Sequence, residues 1–485
     1  MGGGHNALVA AAYLGRAGQQ VLVLERLGTV GGAAVSARPF DGVDARLSRY
    51  SYLVSLLPSR IINDLGLPVS LARRRYSSYS PDPRTSGRTG LLVGPDNPIA
   101  DDFYRRCRSV TQVLWPTMTE PLLTRSEARK MADAEAAWAA MFDEPIGHAI
   151  TRAVSDDLTR GVIATDALIG TFARLDDDSL QQNVCFFYHL VGGGTADWDV
   201  PVGGMGTVTD ALADAARRFH VEIACGAEVF AINPDGEVRY RIGDDERTAH
   251  GHFVLAGVTP TVLASLLGDH PPSSMPGAQV KVNMMLRRLP RLRDDGVTAE
   301  QAFGGTFHIN EMFSQLEAAY GQAVDGRVPD PLPCEIYCHS LTDASILSPA
   351  LRESGAQTLT VFGLHTPHGL ASRDELTDAV LHSLNSVLAE PIQNVLVPGC
   401  LETKTTCDLE DTLGMTAGHI FHGGLSWPFA EDDDSLDTPA RRWGVDTAHD
   451  RIMLCGSGSR RGGGVSGIGG HNAAMAVLES AQHHT

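Results

Sequence analysis

The residues with the clearest chemical use stand at the start of the chain, in MGGGHNALVAAAYLGRAGQQVLVLERLGTVGGAAVS. Gly2, Gly4 and Ala7 follow a G-x-G-x-x-A spacing, and Glu25 comes about 20 residues later, the combination that grips a dinucleotide. Each residue type has a task. Gly2 permits a tight turn, Gly4 lets backbone approach a pyrophosphate, and Ala7 allows a helix to pack closely on a strand. The free N–H groups and positive dipole of the helix N-terminus face the phosphates. Glu25 accepts hydrogen bonds from a ribose diol, and His5 packs over the phosphates without taking part in chemistry. A second concentration of glycine lies near the other end, where LCGSGSRRGGGVSGIGGHN holds Gly456, Gly462, Gly463, Gly464 and Gly467. Glycine loses more backbone entropy on ordering than any other residue, so such a loop is explained by close approach of backbone to a ligand.

These residues need elements to hold them. Leu8 to Leu14 read as a helix ended by Gly18, Val21 to Leu24 as a buried parallel strand, and Glu25 as its carboxyl end. Further along, Gly203, Gly204 and Gly206 precede a helix over 208–219, followed by strands at 221–225 and 227–232. A strand at 253–256, a turn at 257–260, a strand at 452–455 and a helix from about His471 complete the layer. Thr124–Phe142 reads as helix, while 279–286 and 357–362 read as sheet. The glycine fingerprint ordinarily follows a buried strand of about five or six residues, yet Met1 directly precedes Gly2. Loss of that central strand would expose two strand edges. The expectation is that the natural start lies upstream, that another segment fills the gap, or that cofactor binding is impaired.

A chain of 485 residues, 43% hydrophobic and 20% charged, can bury a real core in two or three domains. The longest early apolar run, Ala7 to Leu14, is too short to span a membrane, and no basic leader marks a signal peptide. A formal charge of −19 speaks against nucleic acid as a partner. Eight scattered cysteines suggest free thiols in a cytoplasmic setting; Cys334 and Cys338, the nearest pair, lack the further ligands a zinc site needs. Neither the acidic run Glu431 to Asp434 nor His483 and His484 has metal-site spacing, so no metal is expected.

The pair Gly31 and Gly32 separates flavin from nicotinamide chemistry, and here the chain resembles FAD-dependent oxidoreductases of the amine oxidase and phytoene desaturase superfamily. The resemblance continues in SRYSYLVSLLPSRIINDLGL, PVGGMGTVTDALADAARRFHVEIACGAEVFAI, DLEDTLGMTAGHIFHGG and LCGSGSRRGGGVSGIGGHNAAMAVL. Together these segments are similar to the group labelled pyridine nucleotide-disulphide oxidoreductase domain proteins. With no redox CxxC, a disulfide reductase mechanism is not supported.

The resemblance implies an α/β fold: a Rossmann-like FAD-binding domain, its first strand missing, with an inserted α+β substrate domain. The FAD domain would comprise 1–70, 195–265 and 405–485, and the cap 71–194 and 266–404. FAD would be held by Gly2, Gly4, His5, Asn6, Glu25, Arg26, Gly31, Gly32, Val229 (through backbone to adenine), Gly456, Ser457, Gly464, Val465 and Gly467. The C-terminal loop and helix start would lie under the ribityl chain and flavin ring. Lys281, one of three lysines, resembles the strand lysine that holds a water near the flavin in amine oxidases. His422 is the other catalytic candidate, with His419 beside it. Arg460 and Arg461 replace a His-Pro of phytoene desaturases and would put a cationic pair near the cofactor edge. The implied function is removal of a hydride from a C–N or C–C bond of a small-molecule substrate, with oxygen or another acceptor taking the electrons. Alternatives are an isoprenoid desaturase or isomerase, with peripheral membrane contact if the substrate is a lipid, and a non-enzymatic binding protein that has weakened or lost FAD.

Overall fold

Helix His5–Arg16 is buried from Asn6 to Leu14, and its alanines let two more helices close in. Gly206–Arg218 and Ile468–Gln482 pack against it within one hydrophobic cluster. The approach is backbone to backbone, since a Cβ on Gly470 would collide with the Asn6 carbonyl and one on Gly15 with that of Phe219. The computed structural model describes residues 1–194 and 197–482; His483 and His484 lie outside them.

Beside this helical layer run two parallel strand pairs, Leu22–Glu25 with Glu222–Cys225 and Val254–Ala256 with Ile452–Leu454. Among the described residues, Met1 and Gly2 stand between them. The Met1 amino group donates to the Leu255 carbonyl at 2.7 Å. Gly257 N–H donates to Met1 at 2.8 Å, and Gly2 N–H to Leu24 at 2.8 Å. Leu24, Val254 and Ile452 are core residues here, with Met1 packed against them. The strand read at 227–232 spans Ala227–Ile232 and starts a three-stranded antiparallel sheet with Glu237–Ile242 and Asp245–His250. The helix read from about His471 begins at Ile468, directly after Gly467, whose φ of +73° turns the chain out of the loop.

The rest of the chain forms a seven-stranded sheet and a helical lobe. Sheet order is Leu396–Lys404, Gln279–Leu286, Gln357–Leu364, Cys334–Tyr337, Thr306–Ile309, Ser78–Pro81 and Gly90–Val93. One face is apolar: Val280, Val282, Phe307, Ile309, Ile336 and Val361 pack with Leu376, Val380 and Leu384 of helix Arg373–Val387. Residues directly opposite on paired strands share a face, and one row crosses five strands on the other side. Lys404 faces Lys281, Lys281 faces Phe362, Phe362 faces Glu335, and Glu335 faces His308.

The helical lobe packs around Trp138, Phe142, Phe186 and Phe187, all fully buried. The single helix read over 124–142 is instead broken. Thr124 and Glu127 form a capping box that starts Arg125–Ala132; Asp133, at φ +45°, ends it. A short helix, Glu135–Trp138, and a π-turn, Ala139–Asp143, follow. A left-handed residue cannot continue a right-handed helix, and apolar periodicity alone does not reveal such a break.

Candidate active site

The strand ends, the glycine loops and the polar face of the seven-stranded sheet enclose a cavity of about 1000 Å³. At its cofactor-like end, Gly4 caps helix His5–Arg16 in extended backbone, without a side-chain cap or an acid in the first turn. The helix N–H groups and dipole are therefore free for an anion. A Cβ placed on Gly4 would touch no other chain atom within 4 Å, so it points into the cavity. Gly32, at φ +57°, brings its backbone against Gly4; a Cβ there would lie 3.2 Å from the Gly4 Cα.

Glu25 is buried at the end of its strand and lines the cavity. Its Oε2 accepts from Gly3 N–H at 2.6 Å and its Oε1 from Leu27 N–H at 2.7 Å. A carboxylate has room for further donors, so it can accept a ribose hydroxyl as well. The two chain ends meet here. His5 Nε2 lies 2.9 Å from the Gly464 carbonyl, and Asn6 Nδ2 donates to that of Gly462 at 3.1 Å. Asn6 Oδ1 and His422 Nδ1 are buried with no hydrogen-bond partner among the described residues, and both residues line the cavity. Burial brings His5 and His422 down to about 4, so both imidazoles are neutral at neutral pH. Val229 lines the cavity beside a bulge in which Phe230 lacks an opposite residue. Arg26 reaches over the edge to donate to the Thr412 carbonyl at 2.8 Å. Backbone from Gly2, Gly4, Gly32, Gly456 and Gly464, flanked by Ser457 and Val465, thus lines one continuous wall. These donors, acceptors and open glycine faces fit a dinucleotide.

Lys281 occupies the sheet floor of the same cavity and is only 4% exposed, not a lysine with its amine in solvent. Its amine donates to the carbonyls of Ser48 at 3.0 Å and Tyr50 at 2.8 Å, and it lies 5.1 Å from the Phe362 ring centroid. Burial lowers it to about 7. A neutral amine keeps two N–H donors, enough for both carbonyls, and leaves its lone pair available.

Further along the floor lie groups that sequence reasoning missed. His308 Nδ1 is 2.6 Å from Glu311 Oε2 and 3.9 Å from Glu335 Oε1. Glu335 also accepts from Thr165 Oγ1 at 3.1 Å and from the Tyr337 hydroxyl. Asp166 lines the cavity beside them. Burial first, then the neighbouring acids, pushes Glu335 up, and burial pushes Asp166 up to about 7. For His308 burial acts downward, but the neighbouring acids Glu311, Glu335 and Asp166 together outweigh it and the net shift is upward. These residues come from separate strands and loops, so only pairing of the strands brings them together.

Several of the residues named from sequence do not reach the cavity. Gly31 N–H donates to the Gly3 carbonyl at 2.8 Å and ties the two glycine turns together from behind. A Cβ on Gly467 would meet Val9 at 2.9 Å and Ile61 at 3.2 Å, so this glycine serves helix packing. The expected cationic pair is directed elsewhere as well. Arg461 is fully buried and donates to the carbonyls of Thr117, Glu120 and Trp443, while Arg460 donates to Phe429 and pairs with Asp434. Both are absorbed by loop carbonyls that the sequence could not locate. His419 is buried, and its Nδ1 accepts from Phe421 N–H. No helix among the described residues is long and apolar enough to cross a membrane.

Comparison with known proteins bears on the fold. The NAD(P)-binding Rossmann-like domain family matches residues 1–59. An uncharacterized protein of Mycobacterium tuberculosis is 65% identical over 515 residues, covering 99% of this chain and 96% of its own length. The pyridine nucleotide-disulfide oxidoreductase domain-containing protein 2 of Rattus norvegicus is 26% identical, covering 99% of this chain and 92% of its own. Among solved structures, a putrescine oxidase bound to putrescine superposes with a TM-score of 0.60 at 17% identity, over 99% of this chain and 98% of its own. Cyclohexylamine oxidase from Brevibacterium oxydans gives 0.59 at 15%, over 100% and 98%. The chain belongs to the family of the mycobacterial protein, a Rossmann-containing α/β family with the amine oxidase fold and homologous to the pyridine nucleotide-disulfide oxidoreductase domain proteins.

Proposed function

We propose that this protein is an FAD-dependent oxidoreductase that removes a hydride from the C–N bond of a small-molecule amine and passes the electrons to oxygen or another acceptor. The observation that carries this reading is Lys281, a buried amine lowered to about 7, on the floor of the cavity into which the glycine cradle opens. When bound, FAD supplies the two-electron acceptor, and the amine becomes an imine by loss of a hydride and a proton.

The chain's own residues bind, orient and move the proton. Backbone at Gly4 and the first helix would hold the pyrophosphate, Glu25 a ribose, and backbone at Val229 the adenine. The neutral lone pair of Lys281 accepts a proton directly or through a water, with Ser48 and Tyr50 fixing its position. Tyr52, Phe362 and Tyr337 wall the adjoining space and exclude solvent. His422 offers its unpartnered Nδ1 to the bound molecule.

The acid and histidine groups at the far end favour a polar, basic substrate over an isoprenoid, for which a wholly apolar tunnel would be required. The test is anaerobic mixing of FAD-loaded protein with a panel of primary and secondary amines, alkenes and isoprenoids, followed by flavin absorbance. Bleaching by amines supports the reading; bleaching by isoprenoids alone, or by none of the panel, contradicts it.

A further inference from the structure

His308 and Glu335 stand directly opposite on the paired strands Thr306–Ile309 and Cys334–Tyr337, so their side chains leave the same face of the sheet. Two residues after His308, Asn310 takes a left-handed φ of +57°, which asparagine tolerates, and its side chain donates to the Leu332 carbonyl at 3.1 Å. That turn folds Glu311 back onto His308, whose Nδ1 lies 2.6 Å from Glu311 Oε2 and 3.9 Å from Glu335 Oε1. Helix Asp157–Ala164 lies against the same turn, since a Cβ on Gly161 would collide with the Glu311 carbonyl. It leads into Thr165, which donates to Glu335, and Asp166. One ligand atom each from His308, Glu311 and Glu335 lies within 4.8 Å of the other two. The expectation of no metal rested on spacing along the chain, whereas strand pairing assembles this group.

Asp166, Glu311 and Glu335 bring three carboxyl groups to this place, each acting on His308. Arginines also line the cavity. Arg73 pairs with Asp197 at 2.7 Å, Arg108 with Asp101 at 3.7 Å, and Arg75 is exposed over the Tyr76 ring. Arg74 is the counter-charge that acts on Asp166; it donates to Thr306 Oγ1 at 2.9 Å and to the Trp198 carbonyl at 3.2 Å. With His308 neutral, three carboxylates against one guanidinium leave two negative charges in a buried place. Two protons or one divalent cation cancel them.

An orphaned oxygen favours the cation. Glu311 is 3% exposed, and its Oε1 has no hydrogen-bond partner among the described residues. A proton shared between His308 and Oε2 leaves Oε1 unpaired, whereas an ion held by the carboxylate makes use of it. Glu311 does not line the cavity, while His308, Glu335 and Asp166 do, so the group is embedded in the cavity wall with Glu311 behind. On the cavity side the Tyr52 hydroxyl is also buried without a partner. Its ring centroid lies 4.2 Å from that of Tyr337, whose hydroxyl holds Glu335. We propose that His308, Glu311 and Glu335 bind one divalent transition-metal ion, zinc or manganese, in this wall, with an open position toward the cavity. One imidazole nitrogen with two carboxylates suits these ions, whereas calcium and magnesium take oxygen ligands. Three protein ligands leave a position for a water, or for an oxygen or neutral nitrogen donor of the substrate. Asp166 and the Tyr52 hydroxyl accept from that water. The ion takes no part in hydride removal, and the inference does not rest on the amine reading.

The experiment is calorimetric titration of the full chain, with FAD added and freed of metal by chelator dialysis, with zinc, manganese and magnesium chlorides. One zinc or manganese ion per chain should bind, with release of protons seen as a dependence on buffer ionisation heat. Magnesium should bind roughly a hundred-fold more weakly. Glu311→Gln should weaken zinc roughly a hundred-fold without changing the flavin absorbance, because Glu311 lies behind the wall. His308→Gln should weaken zinc similarly and carries the comparison if Glu311→Gln melts early. Cobalt bound in place of zinc should show visible bands that both variants shift or abolish. No uptake of zinc or manganese by the wild type would overturn the proposal and leave protons as the neutralising charge. Uptake that both variants leave unchanged would also overturn it, since the ion would then sit elsewhere on the chain, as would magnesium binding as tight as zinc. None of these results alters the amine reading, which flavin reduction tests separately.

Discussion

His5 Nε2 and the carbonyl oxygen of Gly464 lie 2.9 Å apart although 459 residues separate them. A carbonyl only accepts, so His5 carries its proton on Nε2 and leaves Nδ1 as a lone pair. This bond closes the wall on which Gly4 presents its open face. The dinucleotide reading thus depends on backbone from both ends of the chain meeting at one place.

Gly4→Ala separates ligand binding from folding. The position has φ −70° and its Cβ would meet no protein atom, so the substitution should leave the melting temperature of FAD-free protein unchanged or slightly higher. FAD affinity should fall roughly tenfold or more, as an inserted methyl overpacks the cofactor. Gly32→Ala, at φ +57°, should lower both affinity and stability. Calorimetry of FAD-free protein and FAD titration of each variant check the contrast.

Glu25→Ala removes the acceptor for Gly3 and Leu27 N–H. Hydrogen bonds to a charged group contribute about 1.5–3 kcal/mol each, so loss of FAD and a lower melting temperature should appear together. Glu25→Gln, which can keep one acceptor, should fall between. The ratio of flavin to protein absorbance after gel filtration reads the first effect, and a thermal melt the second.

Lys281→Met should retain FAD but slow flavin reduction by substrate about a hundred-fold or more, the range of general base catalysis. The wild-type rate should rise with pH through a midpoint near 7, as the amine loses its proton, and the variant should show no such limb. The same shift acts on stability. Between about 7 and the ordinary 10.5 the unfolded lysine binds a proton that the folded one does not, so stability rises with pH across that window. Below about 7 both states are protonated and the contribution is flat. Lys281→Met should flatten the slope by up to about 1.4 kcal/mol per pH unit, measured by denaturant unfolding.

Gly470→Ala tests the helical layer rather than the site. Its Cβ would run into the Asn6 carbonyl, which backbone cannot easily yield. Destabilisation of about 3 kcal/mol or more is expected, with aggregation on expression, whereas Gly18→Ala, which has open space but φ +81°, should cost about 1 kcal/mol.

Much of the cofactor side was legible because its signals are local. Gly2, Gly4, Ala7 and Glu25 sit within one strand–helix unit, and the strands 227–232 and 279–286 have the bounds their alternation suggests. What escaped depends on pairing. Glu335 and His308 become neighbours only through the register of two strands 27 residues apart, and nothing in PCEIYC or TFHIN marks it. Arg460 and Arg461 looked like cofactor-edge charges because the loop carbonyls that bind them come from three distant segments. Asp133 broke a helix that apolar spacing had joined, since a left-handed backbone leaves no periodic trace.

The most direct measurement is titration of FAD into cofactor-free protein, followed by flavin absorbance and fluorescence. Saturation at one FAD per chain, with the visible bands resolved by an ordered environment and the affinity reduced in Gly4→Ala, is the expected result. Flavin that remains free throughout, or binding that Gly4→Ala and Glu25→Ala leave untouched, would contradict the assignment of this cavity to a dinucleotide.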